Sequence, residues 1–317
     1  MANFRKIADP IPPSELANVT SVGTYANSVV MLDKIYRSLA TKTFLSPAVD
    51  TLEKITNNIR NMLNTEPTKT LKLAHSITSG LPYISQHAVN VSIISLHIGL
   101  KLELTPPELK DLGISSLLHC IGRPIGIEDE IHLGAKYLKT KTGYVESVDD
   151  NLAKVEKITD KIRNIIKTHH KAMGPNNYPY EFSQDEDMGI CEKILIIVDC
   201  YVTMLQHPII KEGYYPYTTL MWIVDHDGKP FESEVLKALV DTVGLYPIGS
   251  WLELSTGEIG EVVSPNLGNP MRPLLKVLFN SSRKPLAQTK IVDLSENNTI
   301  QVKKIIPESE LPVPVLS

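Results

Sequence analysis

The stretch Lys69–Leu102, KTLKLAHSITSGLPYISQHAVNVSIISLHIGLKL, decides the fold. Its apolar residues Leu71, Ala74 and Ile77, and then Val89, Val91, Ile93, Ile94 and Leu96, are too dense for the single apolar stripe of a surface helix, so they predict helices enclosed in a core. On the N-terminal side, Ser14–Ala40 and Ser46–Leu63 carry helix-like apolar spacing, the second opened by Ser46 as cap with Pro47 at the first helical position. Residues 1–13 end in Pro-Ile-Pro-Pro and read as a mobile leader. On the C-terminal side, Thr105-Pro106-Pro107-Glu108 supplies a capping hydroxyl, prolines where no intrahelical N–H is needed, and an acid at the positive end of the helix dipole. That helix should run to about Leu118. Further helical stretches are predicted at Asn151–Thr168, Asp187–Gln206, Tyr217–Val224 and Ser233–Val243.

After Gly244-Leu245-Tyr246-Pro247 the helical period gives way to short β-branched or alternating runs separated by turn signals. The runs are Ser250–Leu254, Ile259–Val263, Leu274–Phe279, Thr289–Leu294 and Thr299–Ile306, with Thr256-Gly257 and Gly268-Asn269-Pro270 as turns. The chain is therefore expected to be mainly α: an N-terminal helical region (1–65), a helical bundle (66–245), a small β-barrel-like module (246–307) and a flexible tail (308–317).

Composition excludes several classes. The 317 residues are 42% hydrophobic and 21% charged, with 22 prolines and 17 glycines dispersed, which describes a folding chain rather than a low-complexity one. The net charge of −4 offers no global basic field for a nucleic-acid polymer. Three cysteines, Cys120, Cys191 and Cys200, with no CxxC pair, argue against a disulfide framework or a structural zinc knuckle and for a reducing cytoplasm. No export signal is read at the N-terminus, and no run reaches the roughly 18 apolar residues of a membrane span. A GxxxxGK[ST] loop, a GxGxxG turn and a GxSxG elbow are all missing.

The histidines carry the chemistry. Of nine, His87, His119, His169 and His170 lie in or at the ends of apolar helical segments, where imidazoles either satisfy core hydrogen bonds or converge on a metal inside a bundle. Cys191 and Cys200 read as small core residues. Tyr214-Tyr215-Pro216-Tyr217 reads as a packed loop before a helix, with an aromatic binding ledge as the alternative. Lys167 and Lys171, with Arg123, form either a basic rim around a pocket or ordinary solvated charge.

Four motifs in order narrow the choice: Gln86-His87-Ala88-Val89-Asn90-Val91, Leu117-Leu118-His119-Cys120-Ile121-Gly122-Arg123, His169-His170-Lys171 followed by Asn177-Tyr178-Pro179, and Ile196-Ile197-Val198-Asp199-Cys200-Tyr201. Together they resemble the HD-GYP family, the helical branch of the HD metal phosphohydrolases that hydrolyses the bacterial messenger cyclic di-GMP. The resemblance covers roughly residues 66–245, and the segment from Gly244 to Ser250 with the strands after it looks like the β-appendage some members carry.

The resemblance implies metal ligands at His87, His119, His169, His170 and Asp199, a phosphate-facing cation at Arg123, and ligand-binding positions at Lys171, Asn177, Tyr178 and Pro179. It also exposes departures. Cys120 stands where the family has its metal-bridging aspartate, and a soft thiolate would favour zinc over iron or manganese. No histidine stands near Thr142–Glu146, where the family's next ligand is expected. Lys171 replaces a glutamate and Asn177 a glycine. A dinuclear hydrolytic centre holds two ions about 3.5–4 Å apart. Without the bridging carboxylate the expectation is one ion on His119, His169, His170 and Asp199, or a metal-free pocket.

The chain is accordingly expected to be a degenerate HD-GYP protein, weak or inactive as a cyclic di-GMP phosphodiesterase and acting as a signalling or binding module. The alternative is an active metal-dependent phosphodiesterase with a reduced site. A purely structural helical adaptor is the third reading. One or two divalent metals (Fe, Mn or Zn), cyclic di-GMP, a signalling protein partner and a homodimer through the N-terminal helices complete the expectations.

Overall fold

The computed structural model describes residues 20–40, 48–75, 77–121, 142–172, 188–206, 216–225, 233–307 and 310–312. Its helices are α1 (Thr20–Ala40), α2 (Ala48–Thr65), α3 (Pro67–Ala74), α4 (Tyr83–Lys101), α5 (Pro106–Leu118), α6 (Thr142–Ala153), α7 (Asp160–Ala172), α8 (Ile190–Gln206), α9 (Pro216–Asp225) and α10 (Ser233–Val243). The strands are β1 (Trp251–Leu254), β2 (Ile259–Ser264), β3 (Leu274–Phe279), β4 (Pro285–Asp293) and β5 (Val302–Ile305). The chain forms two compact units, 1–211 with 227–238, and 212–226 with 239–317.

The first unit is built around α4, every residue of which from Ile84 to Gly99 is buried. This is the enclosed helix that Lys69–Leu102 predicts, and it is enclosed because α1, α2, α3, α5 and α8 all pack on it. The cap of α5 forms as expected: the Thr105 N–H donates to the Glu108 carboxylate at 2.9 Å and the Thr105 hydroxyl does so at 2.6 Å. Where α5 meets α2, Gly113 packs against the Thr56 side chain. A Cβ placed on Gly113 would stand 2.4 Å from Thr56 Cγ2, so any larger residue there must displace Thr56 or its helix.

One predicted helix is corrected. Asn151–Thr168 is the end of α6 and most of α7, separated by a turn in which Lys157 takes a left-handed conformation (φ 61°). The apolar residues Leu152, Val155, Ile158 and Ile162 are buried across the break, which is why periodicity alone reads straight through it. The leader at 1–13, Ser46-Pro47, Tyr214 and Tyr215 lie outside the described residues.

In the second unit Gly244 ends α10 in the left-handed region (φ 82°), its N–H donating to Val240 O at 2.9 Å. The strands pair antiparallel in the order β4-β3-β2-β1-β5, and no β4–β5 pairing closes the sheet among the described residues. Alternation along the strands gives two apolar clusters. Leu252, Leu254, Val262, Leu275, Val277 and Leu294 form one, and Trp251, Ile259, Phe279, Ile306 and Leu311 the other. β4 begins at Pro285, four residues before the predicted Thr289, because its exposed first half carries little apolar signal. Tyr217 stacks on Tyr246 with ring centroids 6.2 Å apart. None of the described helices is long and apolar enough to cross a membrane.

Candidate metal centre

The helices of the first unit bring four ionisable side chains together at complete burial. His87 projects from the second turn of α4, His119 is the C-terminal cap of α5, His169 sits in the last turn of α7 and Asp199 lies midway along α8. Each is at most 1% exposed. Burying such groups is costly unless they satisfy one another, and here they converge on the carboxylate. Asp199 Oδ1 lies 2.9 Å from His87 Nε2 and 3.3 Å from His119 Nε2, while Oδ2 lies 3.3 Å from His169 Nε2. His87 Nε2 and His119 Nε2 are 3.2 Å apart. Cys120, next in the chain and fully buried, holds its Sγ 3.1 Å from His119 Nε2.

The backbone fixes one tautomer. His119 Nδ1 is 2.7 Å from the Ser116 carbonyl, which can only accept, so Nδ1 carries a hydrogen. In a neutral ring Nε2 would then turn a lone pair toward the Asp199 carboxylate. Two states relieve that repulsion: an imidazolium, or a cation set between the ring and the carboxylate. For the protein alone, burial drives the His119 imidazolium down, but the charges on Cys120 and Asp199 outweigh it and raise the ring to about 10. Burial likewise raises Asp199, yet the His119 charge and hydrogen bonds from the three imidazoles hold its carboxyl well below the usual range. His169 is lowered, because burial outweighs its attraction to Asp199.

This donor set fits a metal ion. The ligand atoms of His87, His119 and Cys120 all lie within 4.8 Å of one another, with the Asp199 carboxylate against both rings. The surroundings hold it in place. The Thr203 hydroxyl, one turn along α8, donates to Asp199 Oδ1 at 3.1 Å. Tyr83 stacks on His87 at 6.3 Å. The Gln86 side chain accepts from Thr78 N and donates to the carbonyls of Thr78 and Leu81, anchoring the turn before α4. Two hydroxyls of α1 reach the ligand-bearing helices: Tyr25 donates to Asn90 Oδ1 at 2.9 Å, and Tyr36 to the Leu117 carbonyl at 2.6 Å.

Of the positions singled out in the sequence, His87, His119, Cys120, His169 and Asp199 are thus brought together. His170 and Lys171 lie on α7, but their side chains are not described, and Arg123, Asn177, Tyr178 and Pro179 fall outside the described residues. Lys167 pairs with Asp149 at 2.6 Å on the surface, so it belongs to the solvated-charge reading. Sequence reasoning missed Ser116, Thr203 and the two α1 tyrosines. Only Thr203 had a signal, its four-residue spacing from Asp199.

Known proteins resemble both parts of the chain. Residues 251–313 match the family model described as a KOW domain associated with HD domain. The cyclic di-GMP phosphodiesterase PA4108 of Pseudomonas aeruginosa is 23% identical over 256 residues, covering 79% of this chain and 61% of that protein. The cyclic di-GMP phosphodiesterase PdeB of Borreliella burgdorferi is 20% identical over 244 residues, covering 71% of this chain and 60% of that protein. The chain thus spans about three fifths of the length of these curated relatives. Among solved structures, Bd1817, an HDG"Y"P protein from Bdellovibrio bacteriovorus, matches with 17% identity and a TM-score of 0.46 over 71% of this chain and 72% of that one.

Proposed function

We propose that this chain, a relative of the HD-GYP proteins, is a degenerate member: a signalling or binding module with weak or no cyclic di-GMP phosphodiesterase activity. Cys120 is the observation that carries this reading. It stands where the resemblance calls for a bridging carboxylate, and among the described residues Asp199 is the one carboxylate paired with the cluster's imidazoles. Hydrolysis by two ions needs both held about 3.5–4 Å apart by shared anionic oxygen. One carboxylate, three imidazoles and a thiol supply donors for a single ion.

A divalent ion bound there would be a Lewis acid, but one whose positions are taken up by these donors would have little to offer a phosphoryl oxygen. The chain's own residues do the rest in this proposal. Asp199 neutralises the centre and orients His87, His119 and His169 around it, with His170 as a further candidate ligand. Arg123 is the candidate cation for a phosphate, and Lys171, Asn177, Tyr178 and Pro179 are the candidate positions for binding cyclic di-GMP or a protein partner. A cytoplasmic setting and a homodimer through the N-terminal helices belong to the same proposal.

The runner-up is an active phosphodiesterase with a reduced site, favoured by the contacts of 2.9–3.3 Å that still gather three imidazoles on Asp199. Calorimetric titration with cyclic di-GMP, run beside a hydrolysis assay against a dinuclear relative, separates the two. The proposal expects heat of binding with turnover at least about 100-fold below the relative, since even outer-shell losses at metal sites cost about 10–100-fold. Turnover matching the relative would establish the runner-up.

A further inference from the structure

We infer that Cys120 is itself a metal ligand, closing the centre around one borderline-soft ion, zinc by preference, in a four-donor set of His87, His119, Cys120 and Asp199. The inference rests on the metal-pocket reading above and deepens it by naming the ion class and the coordination.

Donor spacing and donor type carry it. Metal–nitrogen and metal–oxygen distances near 2.0–2.1 Å, with sulfur near 2.3 Å, put neighbouring donors of a tetrahedral site about 3.3 Å apart for N/O pairs and about 3.6 Å apart for N–S pairs. The structure has 3.2 Å between the His87 and His119 Nε2 atoms, 2.9 and 3.3 Å from Asp199 Oδ1 to them, and 3.1 Å from Cys120 Sγ to His119 Nε2. The donors of His87, His119 and Cys120 lie within 4.8 Å of one another, Asp199 Oδ1 stands against both imidazoles, and no second such group is found among the described residues. An N, N, S, O set with a thiolate suits zinc, whereas manganese and magnesium prefer all-oxygen octahedra.

The surroundings agree with a closed site. The Ser116 carbonyl holds His119 in the tautomer that presents the Nε2 lone pair, as the second-shell partner of a metal-binding imidazole does. His169 stands 3.3 Å from the other oxygen, Oδ2, whereas the Nε2 atoms of His87 and His119 contact Oδ1. Structural zinc sites fill all four positions from the protein, whereas catalytic ones keep a position open for water or substrate. A cysteine at 120 therefore closes the position that catalysis requires, and the ion becomes a structural staple among α4, α5 and α8. The other thiols point elsewhere: Cys191 Sγ lies 3.9 Å from Glu108 O, and Cys200 Sγ lies 3.9 Å from Met204 Sδ.

Cobalt(II) substitution of the full-length protein tests this, because a thiolate bound to cobalt gives a near-ultraviolet charge-transfer absorption that imidazole and carboxylate ligands do not. The expected result is one cobalt per chain with that band, lost in Cys120→Ser and kept in Cys191→Ala and Cys200→Ala. Zinc affinity, measured by competition with a chromogenic chelator, should fall at least about tenfold in Cys120→Ser. A cobalt form without the band, or a band that survives in Cys120→Ser, overturns the assignment. Neither readout involves cyclic di-GMP, so rapid hydrolysis would overturn the weak-enzyme reading while leaving this test intact.

Discussion

Replacing Gly113 by alanine tests whether the crossing of α2 and α5 is as tight as the packing indicates. The new methyl would stand 2.4 Å from Thr56 Cγ2, 2.9 Å from Oγ1 and 3.2 Å from Cβ. Ordinary carbon–carbon contact is about 3.5–4.0 Å, so the overlap with Cγ2 exceeds about 1 Å. Rotating Thr56 offers little escape, since its two heavy branches occupy two of three staggered positions and every rotamer leaves one at the 2.4 or the 2.9 Å position. The helices must separate. Against this, alanine gains about 1 kcal/mol of helix propensity over glycine. Overpacking a well-filled core costs about 1–3 kcal/mol, and this overlap belongs at the upper end, so the net expectation is a loss of about 1–2 kcal/mol. Urea unfolding followed by helical circular dichroism measures it. Thr56→Ala removes the colliding atoms, so the double variant should be more stable than the sum of the single effects by at least about 1 kcal/mol. A Gly113→Ala protein as stable as the parent, or single effects that simply add, would refute the reasoning.

Other perturbations probe the supports of the site. Tyr36→Phe leaves the buried Leu117 carbonyl without its 2.6 Å donor and should cost about 1–3 kcal/mol in the same unfolding assay; no loss would mean that α1 does not hold the end of α5. Thr203→Val keeps the shape but removes the hydroxyl at Asp199 Oδ1, and chelator competition should show metal affinity reduced about tenfold, with an unchanged value counting against its supporting role. His97, buried on α4, has its pKa pushed down to about 4 by burial and by nearby Lys101. Its unfolded counterpart takes up a proton first, near pH 6.5, so the stability it contributes is present above that pH and declines as pH falls toward 4. His97→Gln should flatten the acid limb of a stability–pH curve by up to about 1.4 kcal/mol per pH unit in that window, and an unaltered limb would contradict the assignment.

What was legible in the sequence follows from which forces act locally. The cap at Thr105–Glu108 and the enclosed helix at α4 depend on residues a few positions apart, so both could be read directly. The break between α6 and α7 could not, because it rests on one left-handed residue, Lys157, whose side chain advertises nothing. At the site, His87, His119, His169 and Asp199 were found through ordered motifs, and Cys120 through the residue it displaces. Ser116, Tyr25 and Tyr36 escaped notice because their roles are set by where a hydroxyl or a carbonyl ends up after packing. The Ser116 carbonyl belongs to the main chain, and no choice of side chain marks it.

The central claim is that this pocket is built for one ion rather than two. Elemental analysis of full-length protein purified without chelators and then equilibrated with excess zinc or manganese tests it most directly. The account predicts zinc retained at one per chain after dialysis and manganese lost. Two ions per chain of either metal would contradict it.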